Sequence, residues 1–157
     1  MGSDEAALVA DQLAVIGVVL RYFALVDAKD WDGFDEVLTE DTTARWTPER
    51  LVEGRAQLVD ATRHMVGSDE IVTYHHVAAM APVVHGDTAE VVARVRAMHH
   101  GVGPREGKFY ESLGVQPTRL VRRPEGWRIA HHEWQISVKL GSMEQLFAPE
   151  IAAGKRH

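Results

Sequence analysis

Hydrophobic side chains recur with a helical period at the start of the chain and with a strand period after residue 70. Residues 5–29 place apolar side chains three and four positions apart, which predicts an amphipathic helix. This helix has two apolar flanks. The first, which we expect to be buried, comprises Leu13, Ile16, Leu20 and Phe23, and the second comprises Val15, Val19, Tyr22 and Val26. A helix that is apolar on both flanks is expected to be clasped between a sheet and another element.

The rest of the chain predicts two more helices and a set of long strands. The helices are expected over residues 31–38 and 56–66, and a first strand over 42–47. Alternating patterns then predict strands at 71–84, 88–102, 107–122 and 126–139, with hairpin turns at Gly86-Asp87 and Glu125-Gly126. Helices followed by long adjacent antiparallel strands predict an α+β fold in which a curved sheet wraps around the N-terminal helices. We expect one domain, residues 5–147, and a C-terminal tail, residues 148–157, with one more short helical piece within residues 142–157.

Composition and charge exclude several classes of function. The 157 residues suffice for a single core, and 45% hydrophobic and 25% charged residues are typical of an ordinary globular protein. A net charge of −6 disfavours nucleic-acid binding. The absence of cysteine excludes disulfides, thiolate nucleophiles and thiolate-bound zinc. The most apolar run, residues 13–20, is too short to span a bilayer, so we expect a cytoplasmic protein with no membrane partner.

Three histidine doublets lie within predicted strands and are the first candidates for chemistry. They are His75-His76, His99-His100 and His131-His132. Because successive strand side chains point to opposite faces, one histidine of each doublet faces the inner side of the sheet. Strand alternation places His99 and His132 on the inner face, whereas both faces of the strand around His75 are apolar and the pattern leaves the choice open. Small side chains at Ala79, Ala93 and Ala97 leave room above the sheet, where a close-packed core would have larger ones.

Asp27 is the other candidate, and it has two interpretations. It continues the apolar flank of the first helix, so helical geometry points it inward, near a helix C-terminus where the macrodipole disfavours negative charge. An acid in that position usually has a partner. Alternatively, the helix frays at residue 26 and Asp27 is solvated. We interpret His64 and His85 as structural or surface residues.

A metal site is a second chemical interpretation of the histidines. His75, His99 and His132 could together hold a metal ion, but no closely spaced ligand motif supports this arrangement. We therefore expect chemistry without a metal or any other cofactor.

At this point the chain resembles the SnoaL-like branch of the nuclear transport factor 2-like superfamily over about residues 8–140. The motifs that carry the resemblance are Tyr22-Phe23-Ala24-Leu25-Val26-Asp27 with Trp31, then Gly54, His75-x-Val77, Gly86-Asp87-x-Ala89 and Glu125-Gly126-Trp127-Arg128-Ile129. The resemblance implies a cone of curved antiparallel sheet that encloses a pocket closed by the N-terminal helices. Scytalone dehydratase, bile acid 7α-dehydratase and hexachlorocyclohexane dehydrochlorinase are the members that the chain resembles most.

The resemblance also implies site residues. Those enzymes pair a helix aspartate with a strand histidine, which correspond to Asp27 and His75 here, and the dehydratases add residues matched by Tyr22 and His99. His132 lies near the position of a basic residue in the dehydrochlorinase. Two departures are Ala79, where an asparagine is frequent, and the segment Gly114–Thr118, which reads as an insertion at the pocket rim. Further pocket-lining residues are expected at Tyr110, Trp46, Trp134 and Ala79.

Together these observations predict a metal-free lyase of the dehydratase type that acts on a hydrophobic cyclic, polyketide- or steroid-like molecule. In this hypothesis Asp27 orients His75 as the general base, and Tyr22 or His99 donates a proton or stabilises an enolate oxygen. An isomerase or cyclase would use the same base, and a non-catalytic pocket that only binds a small molecule is the alternative from another class. The resemblance further implies a homodimer or homotrimer.

Overall fold

The computed structural model describes residues 2–154, with side chains described as far as residue 149, and contains three α-helices and an eight-stranded sheet. The helices are α1 (Ser3–Ala28), α2 (Arg55–Val66) and α3 (Met143–Gly154). The strands are β1 (Leu38–Thr47), β2 (Arg50–Glu53), β3 (Ile71–Ala78), β4 (Val83–His85), β5 (Thr88–Gly101), β6 (Phe109–Arg123), β7 (Gly126–Glu133) and β8 (Gln135–Gly141). The predicted α+β fold is confirmed. The helix expected at 31–38 is a short 3-10 helix, Asp32–Glu36, and β2 was not predicted.

The strands form one open, curved sheet in the order β2-β1-β7-β6-β5-β3, with β4 beside β5 and β8 beside β6. All neighbouring strands are antiparallel except β1 and β7, which pair in parallel. The strand predicted at 71–84 is divided, because β3 ends at Ala78 and Ala79 adopts a left-handed backbone with φ 54° before β4 begins. A left-handed residue cannot continue a strand.

Helix α1 packs on the sheet mainly through the second of its two apolar flanks. Val15, Val19 and Tyr22 of the second flank are buried, whereas Leu13 is 64% and Leu20 is 44% exposed. The expectation that both flanks are clasped is therefore wrong for Leu13 and Leu20, although the 3-10 helix Asp32–Glu36 also contacts α1, with Phe34 against Tyr22. Phe23 of the first flank is buried. Asp27 lies one helical turn after Phe23 on the same side of α1 and contacts His75 of β3.

The segment Gly114–Thr118, interpreted from the sequence as an insertion at the pocket rim, is part of a continuous strand. It lies in the middle of β6 and pairs with β5 without a break, Gln116 standing opposite Ala93. Gly114 is required there because a Cβ would collide with the backbone carbonyl of Gln135 on β8. Gly114 and Pro117 lie where one edge of β6 changes its partner from β8 to β7.

A bulge in β7 changes the predicted alternation of that strand. Leu120 pairs with Ile129 and Arg119 pairs with His131, so Ala130 has no partner on β6. Consequently Ile129 and His132, three positions apart, are both fully buried. The prediction that His132 faces inward is correct, and Trp134 and Ile136 after it line the same cavity as predicted. Before the bulge, however, the buried residues are Trp127 and Ile129, which have the opposite parity to Ala130.

The two ends of the chain differ from the expected limits. Helix α3 continues past the predicted domain end at residue 147, and the last residues of the predicted tail, 155–157, lie outside the described part. Helix α1 is long and apolar enough to cross a membrane by length and composition alone, contrary to our expectation from the shorter run at 13–20. A core helix meets the same criterion, and α1 packs on the sheet. The cytoplasmic location stays a prediction.

We expect Gly114→Ala to lower the free energy of unfolding by about 2 kcal/mol or more, since the added methyl group forces β8 away from β6. Gly17→Ala is the matched control. Gly17 lies on α1 and faces open space where a Cβ would stand, so alanine should stabilise the protein by about 0.5–1 kcal/mol. Urea unfolding of both variants measures the difference. Equal stability of Gly114→Ala and wild type would contradict the close β6–β8 packing.

Candidate functional site

A cavity of about 370 Å³ lies between the inner face of the sheet and helices α1, α2 and α3. Most of the residues predicted for the site line it: Tyr22, His75, His99, Tyr110, His132, Trp46 and Trp134. Asp27 lies behind His75 and contacts its ring. Ala79 is exposed beyond the end of β3 and does not line the cavity, so the structure does not bring it to the site.

The carboxylate of Asp27 accepts three hydrogen bonds from β3. The ring Nδ1 of His75 donates to Oδ1 at 2.6 Å, the Thr73 hydroxyl donates to the same oxygen at 3.0 Å, and the backbone N–H of His75 donates to Oδ2 at 3.0 Å. Because a carboxylate only accepts hydrogen bonds, the proton of neutral His75 lies on Nδ1. The other ring nitrogen, Nε2, is then an unprotonated base.

The pKa of Asp27 lies below its ordinary value. Burial raises it, but the hydrogen bonds from His75 and Thr73 and the favourable charge interaction with His75 outweigh the burial. The carboxylate is therefore ionised at neutral pH, although the side chain is only 25% exposed and that of His75 9% exposed. An ionised, hydrogen-bonded carboxylate orients the ring and stabilises the imidazolium that forms when Nε2 takes up a proton.

His99 stands beside His75 and is neutral. Their ring centroids are 5.7 Å apart, and His99 pairs with Thr73, two positions before His75 along β3. Burial, with a smaller contribution from the charge of His75, lowers the pKa of His99 to about 4. Its Nδ1 donates to the backbone carbonyl of Tyr110 at 3.2 Å, so Nε2 is an acceptor. At neutral pH His99 can accept a hydrogen bond from a ligand hydroxyl but has no ring proton left to transfer.

Tyr22 and His132 form a second buried pair. The Tyr22 hydroxyl lies 3.5 Å from Nε2 of His132, and the ring centroids are 5.2 Å apart. Burial raises the pKa of Tyr22 and lowers that of His132 to about 4, so both side chains are neutral at pH 7. A neutral phenol is a hydrogen-bond donor that can stabilise negative charge on a ligand oxygen.

The remaining members of the doublets face away from the cavity. His76 is exposed beside Tyr74, and His100 donates to Glu111 at 2.9 Å on the outer face of the sheet. His131 contacts Thr43 at 2.7 Å on β1. Within residues 2–154, no three histidine, aspartate or glutamate side chains are placed to hold a metal ion together, so the structure does not assemble the trio His75, His99 and His132 as ligands.

Sequence reasoning missed a row of polar residues on β6. Ser112 and Gln116 are buried and line the cavity, and they share the inner face of the strand with Tyr110 and Thr118. The sequence does contain a signal for this row, because polar side chains occupy alternate positions from 110 to 118, interrupted only by Gly114. We did not recognise this alternation because we interpreted Gly114–Thr118 as an insertion. Thr73 was also missed, because threonine is common in strands and nothing in its neighbourhood marks it as a partner of Asp27.

The two buried neutral histidines predict acid sensitivity. The pKa of His99 and of His132 falls from 6.5 to about 4 on folding, so the unfolded state binds more protons between these values and stability falls as the pH drops from 6.5 towards 4. Each histidine should lower the free energy of unfolding by about 2 kcal/mol when the pH falls from 7 to 5. The contribution of Asp27 disappears only below about pH 4, because its folded pKa is depressed.

Urea unfolding at pH 7 and pH 5 measures this effect. Between pH 7 and pH 5, the free energy of unfolding of His99→Gln should fall by about 2 kcal/mol less than that of wild type. The control is His76→Gln, on the exposed face of β3, which should keep the wild-type dependence. If the free energy of unfolding depended on pH equally in His99→Gln and wild type, His99 would not be a buried neutral base.

Comparison with known proteins agrees with this architecture. Residues 7–133 match the family model described as SnoaL-like domain. No functionally curated protein matches the chain. The protein Kfla4162 from Kribbella flavida superposes with a TM-score of 0.80 at 21% identity, covering 87% of this chain and 97% of that one.

Two further similar structures come from enzymes or candidate enzymes. A candidate scytalone dehydratase from Novosphingobium aromaticivorans has a TM-score of 0.79 at 16% identity, with 88% of this chain and 91% of that chain covered. Hexachlorocyclohexane dehydrochlorinase LinA-type3 from Novosphingobium barchaimii has a TM-score of 0.76 at 12% identity, with 88% and 94% covered. At these identities the likeness concerns the fold. With a family model matched over most of its length, the chain belongs to the SnoaL-like domain family.

Proposed function

We propose that this protein is a cofactor-independent lyase of the dehydratase type that acts on a hydrophobic cyclic β-hydroxy ketone. The observation that carries the proposal is the 2.6 Å contact between Asp27 and Nδ1 of His75, which leaves Nε2 as a base beside a largely apolar cavity. The fold shared with a candidate scytalone dehydratase and with a dehydrochlorinase supports an elimination reaction.

In the proposed reaction, Nε2 of His75 takes the proton from the carbon next to the ketone. The electron pair of the broken C–H bond moves onto the carbonyl oxygen and forms an enolate, which the neutral Tyr22 hydroxyl stabilises by donating a hydrogen bond. The enolate then re-forms the carbonyl and expels the β-hydroxyl group. The imidazolium of His75 returns its proton to that hydroxyl group, so one water molecule leaves and the enzyme regains its starting state.

The charge states assign different roles to Tyr22 and His99. Tyr22 is protonated and serves as the donor, whereas His99, with a pKa of about 4, has no transferable proton at neutral pH. His99 instead accepts a hydrogen bond from the substrate's hydroxyl group and holds it near His75. This division narrows the expectation from sequence, in which either residue donates the proton.

The compound 3-hydroxy-1-tetralone tests the elimination. Loss of water between C2 and C3 gives an enone that tautomerises to 1-naphthol, whose fluorescence reports turnover. We expect wild type to form 1-naphthol and His75→Ala and Asp27→Asn to lower kcat by about 10²–10⁴-fold, the usual contribution of general acid–base assistance. His76→Ala, which changes the exposed histidine of the same doublet, should keep wild-type activity.

The other outcomes distinguish the alternatives. Exchange of the C2 hydrogens for deuterium in D₂O without 1-naphthol would indicate the same base in an isomerase or cyclase. Binding of the ketone with neither exchange nor product would indicate a non-catalytic binding module. Full turnover by both His75→Ala and Asp27→Asn would overturn the proposed base.

Tyr22→Phe should lower kcat for 3-hydroxy-1-tetralone by about 10²–10³-fold with little change in KM, because the hydroxyl acts mainly on the charge of the enolate. His99→Gln should raise KM more than it lowers kcat, since the proposed role of His99 is to hold the substrate. Steady-state kinetics of the two variants measure this split. A higher KM in Tyr22→Phe and a lower kcat in His99→Gln would instead assign substrate binding to Tyr22 and enolate stabilisation to His99.

A further inference from the structure

The wall of the cavity formed by β6 is polar where a core strand would be apolar. Tyr110, Ser112, Gln116 and Thr118 all lie on its inner face and are buried. The neighbouring strand β5 presents only alanine and valine on the same face from Ala89 to Ala97. Small apolar residues on one strand beside buried polar residues on the next form a surface that has both room and hydrogen-bonding capacity.

Like the Tyr110 hydroxyl, Gln116 has a buried polar atom without a hydrogen-bond partner among the described residues. Its side chain is 4% exposed and lines the cavity, and its Nε2 has no hydrogen-bond partner among the described residues. A buried N–H group without an acceptor destabilises a protein, and most such groups in native structures have partners. An amide nitrogen only donates, so the missing partner is an acceptor such as an oxygen atom.

His132 has the same property one strand further along the sheet. It is 1% exposed, and its Nδ1 has no partner within the described part of the chain. Thr118 pairs with His132 on β7, which makes Gln116 and His132 diagonal neighbours on the inner face. Both side chains are uncharged at neutral pH, since burial holds the pKa of His132 at about 4. This pair suits a neutral oxygen better than a carboxylate or a phosphate.

This polar pair is separate from the base. His75 lies on β3, Gln116 on β6, and β5 runs between them. His75 pairs with Ala97 and Gln116 with Ala93, so the two positions are also offset along β5. Two strand spacings alone place their backbones about 10 Å apart. The His75 ring and the Gln116 amide therefore belong to different parts of the cavity wall.

We propose that Gln116, with His132 beside it, forms a second oxygen-binding subsite, so that the substrate is a cyclic molecule with a second uncharged oxygen group held apart from its ketone. The first oxygen, the ketone of the proposed function, lies at Tyr22, and the second, a carbonyl or hydroxyl group elsewhere on the ring system, accepts a hydrogen bond from the Gln116 amide. The inference rests on the proposed function for the first oxygen only, because the second subsite binds and takes no part in bond breaking.

The first test needs no ligand. Gln116→Met removes the unpartnered N–H group at nearly constant volume, so we expect the unliganded variant to melt about 2–6 °C above wild type. Thr118→Val is the matched control on the same face. The Thr118 hydroxyl donates to the backbone carbonyl of Gln116 at 3.3 Å, so this variant should melt below wild type. A lower melting temperature for Gln116→Met would assign Gln116 a structural role and overturn the proposal.

The second test compares two ketones that cannot lose water, 1-tetralone and 6-hydroxy-1-tetralone, by isothermal titration calorimetry. In wild type the added hydroxyl group should strengthen binding about five- to tenfold, the usual effect of one neutral hydrogen bond. In Gln116→Met that gain should disappear, whereas in His75→Ala it should persist.

The two proposals fail in distinguishable ways. Equal gains in Gln116→Met and wild type, or no binding of either ketone to wild type, would overturn the second subsite. A persistent hydroxyl gain combined with no formation of 1-naphthol from 3-hydroxy-1-tetralone would retain the subsite and overturn the dehydratase.

Discussion

The attachment of Asp27 to β3 is the interaction on which the rest of the site depends. Three donors from Thr73 and His75 converge on one carboxylate, and they fix the end of α1 against the third strand. Lys29, directly after the helix, adds hydrogen bonds from its Nζ to the backbone carbonyls of Ser68 and Ile71. The same contacts that position the helix also set the tautomer of His75. In this region, fold and chemistry therefore depend on a single charged group.

The strands of the sheet contribute different kinds of side chain to the cavity wall. β3 supplies the Asp27-bound histidine, β5 supplies small apolar side chains, and β6 and β7 supply neutral polar groups. This division arises from strand alternation, because every second residue of each strand points inward and each strand carries its own pattern. A ligand in the cavity would therefore lie among three kinds of surface, namely the Asp27-bound imidazole, small apolar side chains and neutral polar groups.

Much of this arrangement could be predicted from the sequence, and the exceptions have physical causes. Alternation alone located β5 and placed Ala93, Ala97 and His99 on one face. The buried flank of α1 could not be chosen, because both flanks are apolar and only tertiary packing distinguishes them. The bulge at Ala130 shifts strand parity without any local signal. The requirement for glycine at position 114 could not be predicted, because it comes from Gln135, which lies on another strand and is distant in the chain.

The site also explains why the protein keeps buried groups that weaken its fold. Neutral imidazoles at His99 and His132 and the unpartnered amide of Gln116 are each less favourable than an apolar side chain of similar size. Their cost is tolerable because the apolar faces of α1 and β5 form a large core around them. A cavity lined only by apolar residues would be more stable, but it would lack the polar groups that orient a ligand. The distribution of buried polarity is thus the feature that separates this cavity from a packing defect.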